Sequence, residues 1–165
     1  MKQEFVDLIN NNRGLIFKVC NLYCKQAEDR KDLFQEVVLQ LWKSFPSFKG
    51  GSASSTWIYR VALNTAISNF RKTSKRPEQV AMTHYDFEIP TMCGTELAEN
   101  TSILYEAINH LNEIEKAIIM LYLDEHSYQE IAAILDISKT NVSTRINRIK
   151  IKLEKLLNCK YNEFR

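Results

Sequence analysis

Glycine and proline are scarce in this chain, four and three among 165 residues, while leucine, isoleucine, lysine, glutamate and glutamine are plentiful. Few built-in breaks and many straight-chain residues favour helix throughout, so an all-α protein is expected. No apolar run approaches the roughly 20 residues of a membrane span, and the start, Met-Lys-Gln-Glu-Phe, lacks the apolar core of a secretory signal. A cytoplasmic protein with no membrane insertion of its own is the expectation. Cysteine is also sparse: Cys20, Cys24, Cys93 and Cys159 form no close-set framework, and there is no CxxC or HxxxH pair. Cys20 and Cys24 share a helix face and would need His84 or His110 to complete a metal site, so no metal is expected.

Catalytic signatures are missing as well. The chain has no glycine-rich phosphate loop, no GxSxG and no HExxH. His84, His110 and His126 have no acid or nucleophile at a diagnostic spacing, so neither an enzyme nor a cofactor is expected. Net charge is only +2, which rules out a global basic field and leaves local patches to attract any nucleic acid.

What is present begins with residues 127–157. Ser127 with Glu130 is a capping box, and Ser138 eleven residues on is a second N-cap. The first helix is therefore short, and the chain turns at Asp136 and Ile137. Ala132 is small where two helices would cross, and Ile131, Leu135, Ile137, Val142 and Ile146 supply the apolar contacts of a helix-turn-helix. The stripe continues through Ile149, Leu153 and Leu156. The other face carries Lys139, Asn141, Ser143, Thr144, Arg145, Asn147, Arg148, Lys150 and Lys152, donors and cations suited to phosphates and base edges. Charge changes sign at the same point. Residues 139–165 hold eight basic and two acidic residues, whereas 111–138 hold one lysine and six acids. A step of that kind favours nucleic acid as the partner of the second helix.

Upstream, residues 3–26 read as one or two helices broken near 10–14. Asp29 is suited to cap the next helix, which runs to about Lys43 with Leu33, Phe34, Val37, Val38, Leu41 and Trp42 in three pairs. Its other face, Asp32, Gln35, Glu36 and Gln40 with Leu39 among them, either is solvated or docks a helical partner. Pro46, Gly50, Gly51 and the neighbouring serines make a loop, after which a helix from about Thr56 to Lys72 is apolar nearly all round. Only Arg60, Asn64, Ser68 and Arg71 form a polar stripe on it. Phe48, Trp57 and Tyr59 lie beside the stripe and either stack on unpaired bases or pack the core. Residues 1–74 carry eleven basic and six acidic residues. The stretch 75–100, with Pro77, Pro90 and Gly94, has no period and reads as a flexible linker. Leu97, Leu104, Ala107, Ile108 and Leu111 then open a second helical domain, with a further capping box at Asn112 and Glu115. Two small helical domains, 1–74 and 101–165, are expected, the second with the helix-turn-helix.

Together the halves resemble the bacterial RNA polymerase sigma factors of the extracytoplasmic-function group, over nearly the whole chain. The run Ala-Glu-Asp-Arg-Lys-Asp-Leu-Phe-Gln-Glu-Val-Val-Leu-Gln-Leu-Trp is similar to the family's polymerase-docking helix. Phe-Lys-Gly-Gly-Ser-Ala-Ser-Ser-Thr-Trp-Ile-Tyr-Arg-Val-Ala-Leu-Asn-Thr-Ala looks like its loop and helix for melting and reading the minus-ten element. Residues 127–148 resemble its reader of the minus-thirty-five element. The resemblance implies a transcription initiation factor whose partners are core RNA polymerase, promoter DNA and an anti-sigma factor. It implies polymerase contacts from Asp32, Gln35, Glu36 and Leu39, and melted-strand contacts from Phe48, Trp57, Arg60, Asn64, Ser68 and Arg71. Upstream duplex contacts fall to Lys139, Asn141, Ser143, Thr144, Arg145, Arg148 and Lys152. The chain departs from the family pattern at Asp136, usually glycine, and at Ser143, often basic. A self-sufficient helix-turn-helix regulator and a nucleic-acid enzyme are the other classes; the first leaves the stripe on the 56–72 helix idle, and the second needs a metal or nucleophile site.

Overall fold

The computed structural model describes residues 2–48, 50, 53–74 and 95–163, and among them all regular structure is helical. The elements are α1 (Lys2–Asn11), α2 (Arg13–Tyr23), α3 (Ala27–Ser44), a 3₁₀ turn (Phe45–Ser47), α4 (Ser54–Ser74), α5 (Thr95–Asn109), α6 (Glu113–Leu123), α7 (Tyr128–Leu135) and α8 (Lys139–Glu163). The polypeptide 75–94, with Pro77, His84, Pro90, Cys93 and Gly94, lies outside the described residues, as do Lys49, Gly51, Ser52 and the side chain of Leu97. Helix α5 starts inside the stretch read as a linker.

Local chemistry sets most of the boundaries. Asn12 separates α1 from α2, its Nδ2 donating to the Leu8 carbonyl at 2.8 Å. The two capping boxes form: the Asn112 side chain accepts the Glu115 amide at 2.8 Å, and the Ser127 hydroxyl accepts that of Glu130 at 3.2 Å, with each glutamate bonding back. Ser138 Oγ accepts the Asn141 amide at 3.1 Å and starts α8. Asp136 closes α7 in the left-handed conformation, φ 55°, and the Ile137 amide reaches the Ala132 carbonyl at 3.1 Å. Asp29 is not a cap. Helix α3 begins two residues earlier, and Asp29 lies with Glu28 in its first turn, where a carboxylate favours the positive helix end without closing it.

In the first half α2, α3 and α4 pack mutually, with α1 against α2. Of the three pairs on α3 only the first member of the first two and Leu41 of the last are fully buried: Leu33, Val37 and Leu41. Phe34, Val38 and Trp42 straddle the edge of the stripe. Phe34 stacks on Phe17 at 4.5 Å, and Trp42, 39% exposed, meets Phe5 edge-on at 5.0 Å. In the second half α8 packs against α5, α6 and α7, burying Val142, Ile146, Ile149 and Leu153. Each such side chain contributes about 1.5–3 kcal/mol on burial. Ile134 is buried in the helix-turn-helix beside Ile131, while Leu135 and Ile137 are only partly covered. Helix α4 is apolar on so much of its surface because it has neighbours on two sides. It packs on α2 and α3 within its own half and on α6 and α7 of the other.

Candidate nucleic-acid interface

The polar stripe of α4 is exposed at Arg60, Asn64, Ser68 and Arg71, but packing divides it. Asn64 and Ser68 open onto a groove of about 750 Å³ between α3 and α4, which Asp32, Glu36, Gln40 and Lys72 also line. Two carboxylates against one ammonium make this groove a poor seat for phosphates. Its amides and hydroxyls suit the donor and acceptor edge of a base better. The groove thus brings together side chains from two separately read sets, Asp32 and Glu36 with Asn64 and Ser68, while Gln35 and Leu39 lie off it on the exposed face of α3. Gln40 belongs to the polar face read on α3, and only Lys72 was missed by sequence reading, although it follows Ser68 by four residues and so continues the stripe.

The ends of the stripe turn the other way. Arg60 donates to the carbonyl of Ala133, one of the last four of α7, which an α-helix leaves without an internal donor. Arg71 Nε donates to Glu113 Oε1 at 2.9 Å. Between them, Tyr59 is buried; its hydroxyl donates to Asp124 Oδ2 at 2.6 Å, and Lys18 pairs with Oδ1 of the same carboxylate. His126 meets the Tyr59 ring edge-on at 5.3 Å. Helix α6 therefore lies antiparallel along α4, with Asp124 beside Tyr59 and Glu113 beside Arg71. Under this contact Tyr23 donates its hydroxyl to the Glu113 carbonyl, and Lys116 is buried with its ammonium 5.4 Å from the Phe70 ring centre. An amide hydrogen bond at the helix start and the Arg71 guanidinium hold the Glu113 carboxyl below its ordinary range. Burial, with Lys25 adding repulsion, pushes the Lys116 ammonium down, and burial with the Asp124 bond pushes the Tyr59 hydroxyl up.

The aromatic side chains beside the stripe stack on one another. Phe48 lies on Trp57 with centroids 4.6 Å apart and planes at 26°, and Phe45 touches the same indole at 6.5 Å. Both Phe48 and Trp57 remain partly exposed, so a base reaches either ring only on its outer face or by displacing the other. Tyr59 is closed off by its bond to Asp124. Cys20 is buried and Cys24 half-buried; burial first, then proximity to Cys24 for Cys20 and to the Asp29 carboxylate for Cys24, pushes their thiols up to about 12 and about 11. Neutral thiols of this kind are weak ligands and nucleophiles.

On α8 the exposed face carries Lys139, Asn141, Thr144 and Arg148. Arg145 is half-buried with its Nε on Asn141 Oδ1 at 2.7 Å, the Thr144 hydroxyl donates to the Thr140 carbonyl at 3.0 Å, and Ser143 is half-buried. Further along, the side chains turn back onto their own domain. Lys150 Nζ donates to the Tyr122 hydroxyl at 2.8 Å, which raises its basicity, and Lys152 pairs with Glu115 Oε2 at 3.1 Å. Among the described residues, the first three turns of α8 keep Lys139, the Asn141 side-chain amide and Arg148 as exposed, unengaged donors.

Residues 8–76 match the family model described as sigma-70 region 2, and residues 101–153 the one described as sigma-70, region 4. The ECF RNA polymerase sigma factor SigW of Bacillus subtilis (strain 168) is 28% identical over 170 residues, spanning 94% of this chain and 90% of that protein. The ECF RNA polymerase sigma-E factor of Escherichia coli (strain K12) is 32% identical over 134 residues, 74% of this chain and 70% of that one. Among solved structures, CnrH in complex with the cytosolic domain of CnrY superposes with a TM-score of 0.69 at 18% identity, covering 96% of this chain and 90% of CnrH. The sigma factor RpoE in complex with the anti-sigma factor NepR from Bartonella quintana gives 0.66 at 20% identity, covering 95% and 96%.

Proposed function

The chain belongs to the extracytoplasmic-function sigma factors, transcription initiation factors that direct RNA polymerase to promoters, and from that premise we propose how its surfaces divide the work. The first domain, 1–74, docks on core polymerase and reads the melted minus-ten strand. The stretch 75–100 links it to the second domain, 101–165, which reads the minus-thirty-five duplex. The observation that carries this reading is the pair of polar faces in their order along the chain: the α4 stripe with its groove, then the capped helix-turn-helix with a free donor face on α8.

On α3, Gln35 and Leu39 face outward with Asp32 and Glu36 and form the polymerase contact. On α4, Asn64 and Ser68 take a base edge, and Arg60 and Arg71 hold phosphates of the same strand, with Phe48 and Trp57 as the stacking surface. On α8, Thr144 and Arg148, with the half-buried Ser143, read bases, while Lys139, Asn141 and Arg145 position the backbone. Lys152, paired with Glu115, reaches a phosphate only by giving up that pair. Because two of its structural relatives were solved with bound protein partners, one of them an anti-sigma factor, an anti-sigma partner is proposed for this chain too. The family is not enzymatic, and no catalytic role is proposed. Among the described residues no helix is long and apolar enough to cross a membrane.

The test is multi-round transcription by cognate core polymerase with and without the protein. Promoter-dependent product only in its presence supports the reading. Stable, sequence-specific duplex binding by the protein alone, with no stimulation of polymerase, would favour a free-standing regulator.

A further inference from the structure

The groove between α3 and α4 is unevenly supplied with hydrogen-bond donors. Helix α4 follows α3 after a short connection and packs along it, so the two run antiparallel. Ser44 and Gln40 therefore stand across from Val61 and Thr65, and Asp32 across from Lys72. Near Asn64 the hydroxyl protons are already engaged. Ser44 Oγ donates to the Gln40 carbonyl at 2.8 Å, and Thr65 Oγ1 donates to the Val61 carbonyl at 2.8 Å, each within its own helix. A hydroxyl has one proton and two lone pairs, so both face the groove as acceptors only. Gln40 Nε2 donates to Glu36 Oε1 at 2.7 Å, which takes up one of its amide hydrogens and leaves its carbonyl as an acceptor. The Lys72 ammonium belongs to the far end, its backbone about 12 Å beyond Asn64 along α4.

We infer that this groove selects a base with an exocyclic amine, N4 of cytosine or N6 of adenine, over thymine and guanine, which place the keto oxygens O4 and O6 there. Asn64 alone does not decide between them, because turning its amide over presents the same donor and acceptor in either order. The second valence of the base decides. An amine has two N–H groups; the Asn64 carbonyl accepts one, and the Ser44 or Thr65 oxygen is left to accept the other. A keto oxygen has two lone pairs; the Asn64 amide satisfies one, and the second is turned toward oxygens with no proton to give. Ser44 and Thr65 are half-buried, so water does not fully relieve that opposition of acceptors. Ser44 and Thr65 are thus specificity-determining residues beside a reader that is itself ambivalent. This inference rests on the reading that Asn64 takes a base edge, and adds which class of base it takes.

The test is competition between short homopolymers for the full chain, read by the anisotropy of a fluorescein-labelled, mixed-sequence single strand at low salt. Oligo(dC) is compared with oligo(dU), and oligo(dA) with oligo(dI). Within each pair the backbone and charge are equal and an amino edge is exchanged for a keto edge, so phosphate contacts cancel in the ratio. The amino member of each pair should bind about fivefold or more tightly, the effect of about one hydrogen bond made rather than left unmade. Thr65→Val and Ser44→Ala remove the two acceptors with little change of shape, and together should bring both ratios toward one. Equal binding within both pairs, or tighter binding of the keto members, would overturn the inference, as would ratios that survive the loss of both hydroxyls. Asn64→Ala distinguishes the premise. If it leaves the affinity of every homopolymer unchanged, the reading of Asn64 itself fails; if affinities fall with it yet the pairs bind equally in the wild type, only the preference fails. Thr65→Val alone, which should lower both ratios part of the way, serves if the double variant does not fold.

Discussion

Asn64 sits on the groove wall with a donor and an acceptor on one side chain, flanked by carboxylates that keep phosphates out. Asn64→Ala should lower transcription from a duplex promoter by the loss of a base-edge contact, about 1–3 kcal/mol. A pre-melted template should restore much of the activity, and the melting temperature should hold because exposed substitutions cost under about 0.5 kcal/mol. Equal transcription on both templates by wild type and variant would remove Asn64 from the reader's role. Arg148 is exposed on α8 and makes no hydrogen bond or ion pair among the described residues, unlike Arg145 and Lys152. Arg148→Ala should cost about 1–3 kcal/mol of promoter affinity and relax preference at one upstream position, measured by binding to a set of single-base promoter variants. A uniform loss across the set would mark it as a phosphate contact.

Elements act through their ends and faces. The turn between α7 and α8 holds Asp136 at φ 55°, a left-handed conformation that costs a non-glycine residue about 1–2 kcal/mol, less for aspartate. Asp136→Gly should therefore raise the melting temperature of the chain, and Asp136→Val should lower it; the reverse order would mean that the aspartate side chain itself caps the turn. On α3 the groove changes which substitution isolates polymerase docking. Asp32 and Glu36 share the groove with Asn64, so changing either alters both surfaces, whereas Gln35 and Leu39 stand clear of it. Leu39→Ala, at a side chain 44% exposed, should weaken co-purification with core polymerase while leaving stability within about 0.5 kcal/mol.

For the molecule as a whole, the contact between halves is electrostatic enough to depend on pH. The Glu113 carboxyl lies below its ordinary value in the folded chain, chiefly through the amide bond and then through Arg71. The stabilisation it gives is therefore fully present above the usual carboxylate range and is lost as pH falls through that range toward the depressed folded value, below about 4.3. Melting temperature followed from pH 7 down to pH 3 should drop more steeply for wild type than for Glu113→Gln. Parallel curves would show that the Glu113 carboxylate gives no pH-dependent stability, whether through its own amide or through Arg71.

The helices and their caps were legible because they depend on neighbours in sequence. The capping boxes at Asn112 and Ser127, the N-cap at Ser138, the left-handed turn at Asp136 and the apolar stripe of α8 are each complete within a few residues. The two polar faces were visible for the same reason, since a helical period fixes which side chains share a side. The sequence contained no sign of what stands opposite a face. That α4 is packed on two sides, that its stripe splits into a groove-lining centre and two engaged ends, and that Asp124 gathers Lys18 and Tyr59 were decided by contacts distant in the chain, from 42 positions for Arg71 and Glu113 to 106 for Lys18 and Asp124. Lys152 looks like a phosphate ligand by its place on α8, and only the position of Glu115 turns it inward. Period and capping are local, so one stretch of chain determines them; the partner of an exposed charge is set by tertiary packing, because the long side chain reaches whichever opposite charge the fold brings within a few ångströms.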